Sequence, residues 1–160
     1  MSRVDTRDDL DPGEHPLRVF VCSTIDPQLE RARELTREAI GKAPYLAPWL
    51  FEYTPASSED LLGSYLDKVR QSDLVIWLVG DDTTDPVRQE VEAALASGRR
   101  LLVFRLPSSE RTSSTRDLLK KVGPHSKWLD VEDVERLPHY VELTLHDEIV
   151  RAVRGSGGAE

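Results

Sequence analysis

The stretch RVFVCSTIDPQLER, Arg18 to Arg31, decides the fold. Val19 to Cys22 is a short β-branched and aromatic run, which predicts a buried strand. Ser23 and Thr24 follow at its carboxyl end. Asp26-Pro27 then opens a helix, because an Asp side chain caps free amides and Pro suits the first helical position. In a parallel α/β sheet, ligands bind outside the carboxyl ends of the strands. Ser23 and Thr24 are therefore expected where binding or chemistry occurs.

Strands and helices alternate outward from this unit. A first helix over Pro27 to Ile40 puts Leu29, Ala32, Thr36, Ala39 and Ile40 on one face, with Gly41 as its stop. Trp49 to Tyr53 reads as a second strand. Ser57 or Ser58 caps a helix with the stripe Leu62, Tyr65, Leu66 and Val69. Leu74 to Val79, LVIWLV, is a continuous apolar run, as expected of a central strand covered on both faces. Asp85-Pro86 starts another helix with Val87, Val91, Ala94 and Leu95 inward, and Gly98 ends it. Leu101 to Leu106 is the next strand, Thr115 to Val122 a helix, Trp128 to Val131 an edge strand, and Pro138 to Val153 a last helix. The expected fold is α/β: a flavodoxin-like or TIR-like three-layer sandwich around a central parallel sheet of about five strands.

Composition narrows the class. The chain has 160 residues, 39% of them hydrophobic and 31% charged, which suits one soluble globular domain with a real core. Its net charge of -8 and the lack of a basic cluster argue against nucleic acid or an anionic membrane surface as a partner. The lone cysteine, Cys22, excludes an internal disulfide and suits a reducing compartment, so the expected location is cytoplasmic. No apolar run reaches the ~18 residues of a membrane span. Residues 1–16 are expected to form a flexible acidic leader, 17–154 the α/β domain, and 155–160 a flexible tail or linker.

The motif F-V-C-S-T at Phe20 to Thr24, followed by Glu30-Arg31, resembles a TIR-like family of unknown function with the signature F-V-S-S-T…E-R. Its members often precede NACHT-type ATPases or repeats. The resemblance continues through Phe51-Glu52, Pro55-Ala56, Val69-Arg70, Ser72-Asp73, Gly80, Glu90, Ala94, Gly98 and Leu101 to Phe104. It departs where Cys22 replaces a serine and where DDTTDPVRQ after Gly80 lacks an Arg-Tyr-Gly. The spacing of Glu90, Ala94 and Gly98 is also similar to nucleoside deoxyribosyltransferases, and TIR domains that cleave NAD carry a helical Glu beside the same pocket. The resemblance implies a fold for cleaving or recognising N-glycosidic bonds. It implies a signalling or defence effector that self-associates, with a sensor or ATPase partner domain, and with NAD as substrate rather than as a cofactor. The alternatives are a non-catalytic protein–protein interaction module of the same fold and a nucleoside deoxyribosyltransferase-like enzyme.

Glu90 is the candidate catalytic residue. It lies about 85° from the centre of its helix's apolar stripe, at the edge of the core. Loss of nicotinamide from ribose creates an oxocarbenium-like centre that one carboxylate stabilises or traps. The plain alternative is a surface carboxylate favouring the helix dipole. Ser23 and Thr24 are candidates for holding ribose or phosphate, or else they cap the loop. Asp81 and Asp82 follow a central strand and are candidates for ribose contacts or for protonating a leaving base; as a simple turn they need no function. Glu52 is a further substrate-binding candidate, or an ion-pair partner of a residue such as Arg31. Cys22 is expected inward. Trp49, Trp77 and Trp128 read as core or boundary residues. The four histidines lack metal spacing, and no metal is expected. No G-x-G-x-x-G or phosphate-loop lysine is present.

Overall fold

A computed structural model describes residues 17–50 and 66–158. Five strands form one sheet: β1 (Leu17–Ser23), β2 (Leu46–Leu50), β3 (Leu74–Val79), β4 (Arg100–Arg105) and β5 (Ser126–Asp130). Every pairing is parallel and the order is β2-β1-β3-β4-β5. This is the flavodoxin-like order, with its topological switch point between β1 and β3.

The helices are α1 (Pro27–Gly41), α2 (helical over 66–71), α3 (Asp85–Ala96), α4 (Ser113–Val122) and α5 (Leu137–Gly158). Strand alternation sends side chains to two cores. Val19, Val21, Ile76, Leu78, Leu102 and Phe104 pack with Leu29, Ile40, Leu137 and Val141 of α1 and α5. Phe20, Cys22, Val75, Trp77, Val79, Leu101 and Val103 pack with Val69, Val87, Val91, Ala94 and Leu118 of α2, α3 and α4. All six residues of β3 are buried, as its unbroken apolar run predicts.

Local signals explain the helix ends. Asp26 is the N-cap of α1, and its carboxylate accepts from the Leu29 amide at 3.1 Å. The second Asp-Pro differs: Thr84 takes the cap position of α3 and Asp85 is already helical. Gly98 ends α3 at a φ of 67°, and Arg99 N–H donates back to the Ala94 carbonyl, closing a left-handed cap that favours glycine.

The bounds of several elements differ from their sequence expectation. The second strand is Leu46–Leu50, upstream of the aromatic run at Trp49 to Tyr53, whose last three residues lie outside the described ones. The fifth strand begins two residues earlier than Trp128. The last helix continues through Gly158. Residues 1–16, Ser57, Ser58 and Glu52 lie outside the described residues.

Candidate functional site

The carboxyl ends of β1 and β3 carry the loops 24–26 and 80–84, so the switch point gathers most of the candidate residues in one place. Hydroxyls and carboxylates there bind one another. Ser23, 7% exposed, donates to the Thr24 carbonyl at 3.3 Å. Thr24 Oγ1 donates to the Asp82 carbonyl at 3.2 Å, linking the two loops directly. The Asp81 amide donates to Gln28 Oε1 at 3.0 Å, which ties the same loop to the first turn of α1.

A third segment joins them, and sequence reasoning missed it. The β4–α4 loop brings Ser108, Arg111, Thr112 and Thr115 against residues 79–83. Ser108 donates to the Asp81 carboxylate, and Thr112 Oγ1 donates to the Asp82 carboxylate at 3.0 Å. Thr115 Oγ1 donates to the Asp81 carbonyl at 3.2 Å and shares a 2.7 Å hydrogen bond with Thr83. Arg111 donates to the carbonyls of Gly80 and Leu106, both at 2.7 Å. The usable signal was the hydroxyl-rich run SSERTSST, residues 108–115, placed after a parallel strand and hence at the same sheet end.

The electrostatics follow from these bonds. The Ser108 hydroxyl, then Gln28, hold the Asp81 carboxyl below its ordinary value, and the Arg111 charge adds to this. Arg111 is itself lowered by partial burial and by the neighbouring Arg105 charge.

Glu90 lies deeper than its helical position suggests. It is 2% exposed on the inner side of α3, against β1 rather than at the rim of the core. Cys22, fully buried one residue before the end of β1, neighbours that carboxylate. Burial, then the Glu90 charge, push that thiol well above its ordinary value. Cys22 therefore stays protonated and is not a nucleophile at neutral pH. Glu92, two residues on, faces outward and pairs with Arg88 at 3.3 Å and Lys121 at 3.1 Å.

The remaining candidates separate. Arg31 pairs with Glu135 at 2.9 Å and Glu34 at 3.2 Å. Trp77 is core, 1% exposed, whereas Trp128 is 43% exposed on the edge strand with the Arg105 guanidinium 4.1 Å over its ring. An open cavity of about 490 Å³, lined by Ile25, Asp26, Glu30, Arg33 and Arg37, flanks the β1–α1 loop. Among the described residues, no group of three or more His, Cys, Asp or Glu is placed to hold a metal ion. None of their helices is long and apolar enough to cross a membrane.

Comparison with solved structures supports the architecture. A CMP N-glycosidase of Clostridium botulinum, BcmB, superposes with a TM-score of 0.56 at 16% identity, covering 79% of this chain and 98% of that one. The DNA processing protein A of Helicobacter pylori, described as binding single-stranded DNA, gives a TM-score of 0.48 at 17% identity over 82% of this chain and 81% of its own. At 16% identity the likeness to the N-glycosidase is one of fold alone. No curated protein matches this chain. The sequence profile of the domain of unknown function DUF4062 matches residues 18–122, four of the five strands and helices from both faces of the sheet included, and the chain belongs to that family.

Proposed function

We propose that this chain is a TIR-like effector module that hydrolyses the N-glycosidic bond of NAD or a related nucleotide, with Glu90 as its catalytic carboxylate. One observation carries the reading: a carboxylate buried to 2% exposure stands beside the penultimate residue of β1, next to the switch point. A desolvated carboxylate acts on a nearby cation far more strongly than one in water. The fold likeness to an N-glycosidase of CMP supports the reaction class.

In this reaction the C1′–N bond breaks and its electron pair leaves on the base. Glu90 stabilises the oxocarbenium-like ribosyl centre, and water adds at C1′. Ser23 and Thr24 bind the ribose by exchanging their backbone carbonyl acceptors for substrate hydroxyls, and Asp82 and Glu52 contribute further contacts. Asp81 is held ionised by Ser108 and is a poor proton donor. Nicotinamide leaves as a neutral ring and needs no proton, whereas a pyrimidine base does; this favours a pyridinium nucleotide over CMP. Self-association and a sensor or ATPase partner belong to the same reading, as does a signalling or defence role.

The test is incubation of concentrated protein with NAD, NADP, CMP and a nucleoside mixture, with chromatography of the products. Nicotinamide release is expected, falling at least about a hundredfold in Glu90→Gln. Equal product from Glu90→Gln and wild type would sink the proposal. Transfer of the deoxyribosyl group from one base to an acceptor base, giving a new nucleoside and the displaced base in place of free sugar, would identify a deoxyribosyltransferase.

The non-catalytic interaction module is favoured by a different observation. The crevice hydroxyls already bind each other, while the edge strand exposes Trp128 and Leu129. On that reading no substrate turns over, and Trp128→Ala disrupts assembly measured by light scattering.

A further inference from the structure

We propose that β5 is the edge through which this chain self-associates: two copies pair their fifth strands antiparallel, centred on Trp128, into one continuous sheet. The inference deepens the self-association named in the proposed function and does not depend on Glu90.

The opposite edge of the sheet, β2, carries Pro48, and proline guards an edge because it offers no amide. β5 contains no proline and pairs only with β4 among the described residues. Just past its end, Val131 N–H donates to the Arg105 carbonyl at 2.8 Å. Backbone groups alternate along a strand, so Lys127 and Leu129 also turn theirs to β4. Those of Ser126, Trp128 and Asp130 therefore point out from the sheet, where a further strand can bond them.

The side chains suit a copy of the same strand. Residues 127–130 are all exposed, with Trp128 and Leu129 at the centre of the edge. The Trp128 ring is already ordered by the Arg105 guanidinium, 4.1 Å over it. A lysine on an edge discourages a further strand, but Lys127 is drawn back to Asp147 at 2.6 Å. Asp130 is drawn likewise to Arg105 at 2.6 Å. The edge is thus locally neutral in a chain of net charge -8. Antiparallel alignment lays the Lys127 end of one strand beside the Asp130 end of the other, whereas parallel alignment would set like charges together. A two-fold axis at Trp128 keeps the pleat in step: Trp128 faces its own copy, Lys127 faces Leu129, and Ser126 faces Asp130. The two Trp128 residues then exchange a pair of backbone hydrogen bonds, and their rings form a cross-strand aromatic pair on one face. Two five-residue strands make a small interface, so the dimer is weak and forms at high concentration.

The experiment follows the full chain by sedimentation velocity over a concentration series, with Trp128→Ala and Trp128→Pro beside wild type. Thermal unfolding first establishes that each variant is folded. Proline at this position removes an outward amide and no bond to β4, so it tests the edge and spares the sheet. Wild type is expected to dimerise reversibly, Trp128→Ala to weaken the dimer roughly tenfold, and Trp128→Pro to abolish it. Register is read by disulfide trapping, in which Ser126→Cys protein is mixed with Asp130→Cys protein under a mild oxidant. A backbone-bonded antiparallel pair holds its Cα atoms about 5.5 Å apart, within disulfide reach. The mixture is expected to cross-link. Neither protein alone is, because like positions then lie roughly 13 Å apart along the strands. The native Cys22 is buried and common to all of them. The trap needs no proline variant, so it decides the question even if Trp128→Pro does not fold. A wild type that stays monomeric overturns the inference, as does a dimer that survives Trp128→Pro or one that gives no mixed disulfide. Nicotinamide release from a chain that stays monomeric overturns this edge and leaves the proposed function standing. A Trp128-dependent dimer that gives the mixed disulfide but no turnover upholds the edge and overturns the catalytic reading alone.

Discussion

Gly80 closes β3 at a point where no side chain fits. A β-carbon there would come within 2.7 Å of Gln28 Oε1 and 3.2 Å of Leu29 Cδ2 and Cγ. The Gln28 amide can swing away, losing its bond to the Asp81 amide, but Leu29 is fully buried. Gly80→Ala is expected to cost about 1–3 kcal/mol in urea unfolding. Arg111 supports the same corner from the other side, so Arg111→Ala strands two carbonyls and is expected to cost about 2 kcal/mol in the same measurement. At this scale the sequence was readable for Ser23, Thr24, Asp81 and Asp82, which follow strand ends. It was not readable for partners. Cys22 has a carboxylate, Glu90, as its neighbour, and Glu90 is deeper than helix periodicity implies because periodicity describes one face, not how far a neighbouring strand reaches.

Among the elements, the helices follow their stripes and caps closely, since their signals are local. β2 shows where local signals mislead. The expected strand, Trp49 to Tyr53, starts after Pro48, whereas the observed one runs through it. Pro48 is tolerated because β2 is an edge strand, pairing only with β1, so a missing amide can face away from the ladder. The opposite flank is held by charge. Glu148 of α5, its side chain 4% exposed, accepts from Arg100 Nε of β4, and Lys127 of β5 lies 3.9 Å away. Removing Arg100 leaves a buried carboxylate short of a partner. Arg100→Met is expected to destabilise by about 2 kcal/mol, most of it recovered when Glu148→Gln is added, as a double-mutant cycle in chemical denaturation would read.

For the whole molecule, pH acts from both ends. Asp81, Glu135 and Asp147 are held below their ordinary values by hydrogen bonds from Ser108, Arg31 and Lys127. Depressed carboxyls add stability that is present above their unfolded values and lost as pH falls through the folded ones, so unfolding is expected to become easier below about pH 4. Cys22 works in the opposite sense. Its thiol is raised above the ordinary 9.0, so the unfolded chain releases a proton that the folded chain keeps. Stability is expected to fall by about 1.4 kcal/mol per pH unit above 9 from this group, and Cys22→Ala should flatten that limb in melts taken between pH 8 and 11.

The solitary thiol also offers a clock. β1 must recruit β3, whose residues lie more than fifty positions later in the chain, before its second ladder closes. Pairings that distant are slow to form. Until they do, the sulfur is open to an alkylating reagent; afterwards only opening of the sheet exposes it again. Pulsed alkylation during refolding would time the moment the switch point is assembled, and the slow residual rate in the native protein would measure how often it comes apart.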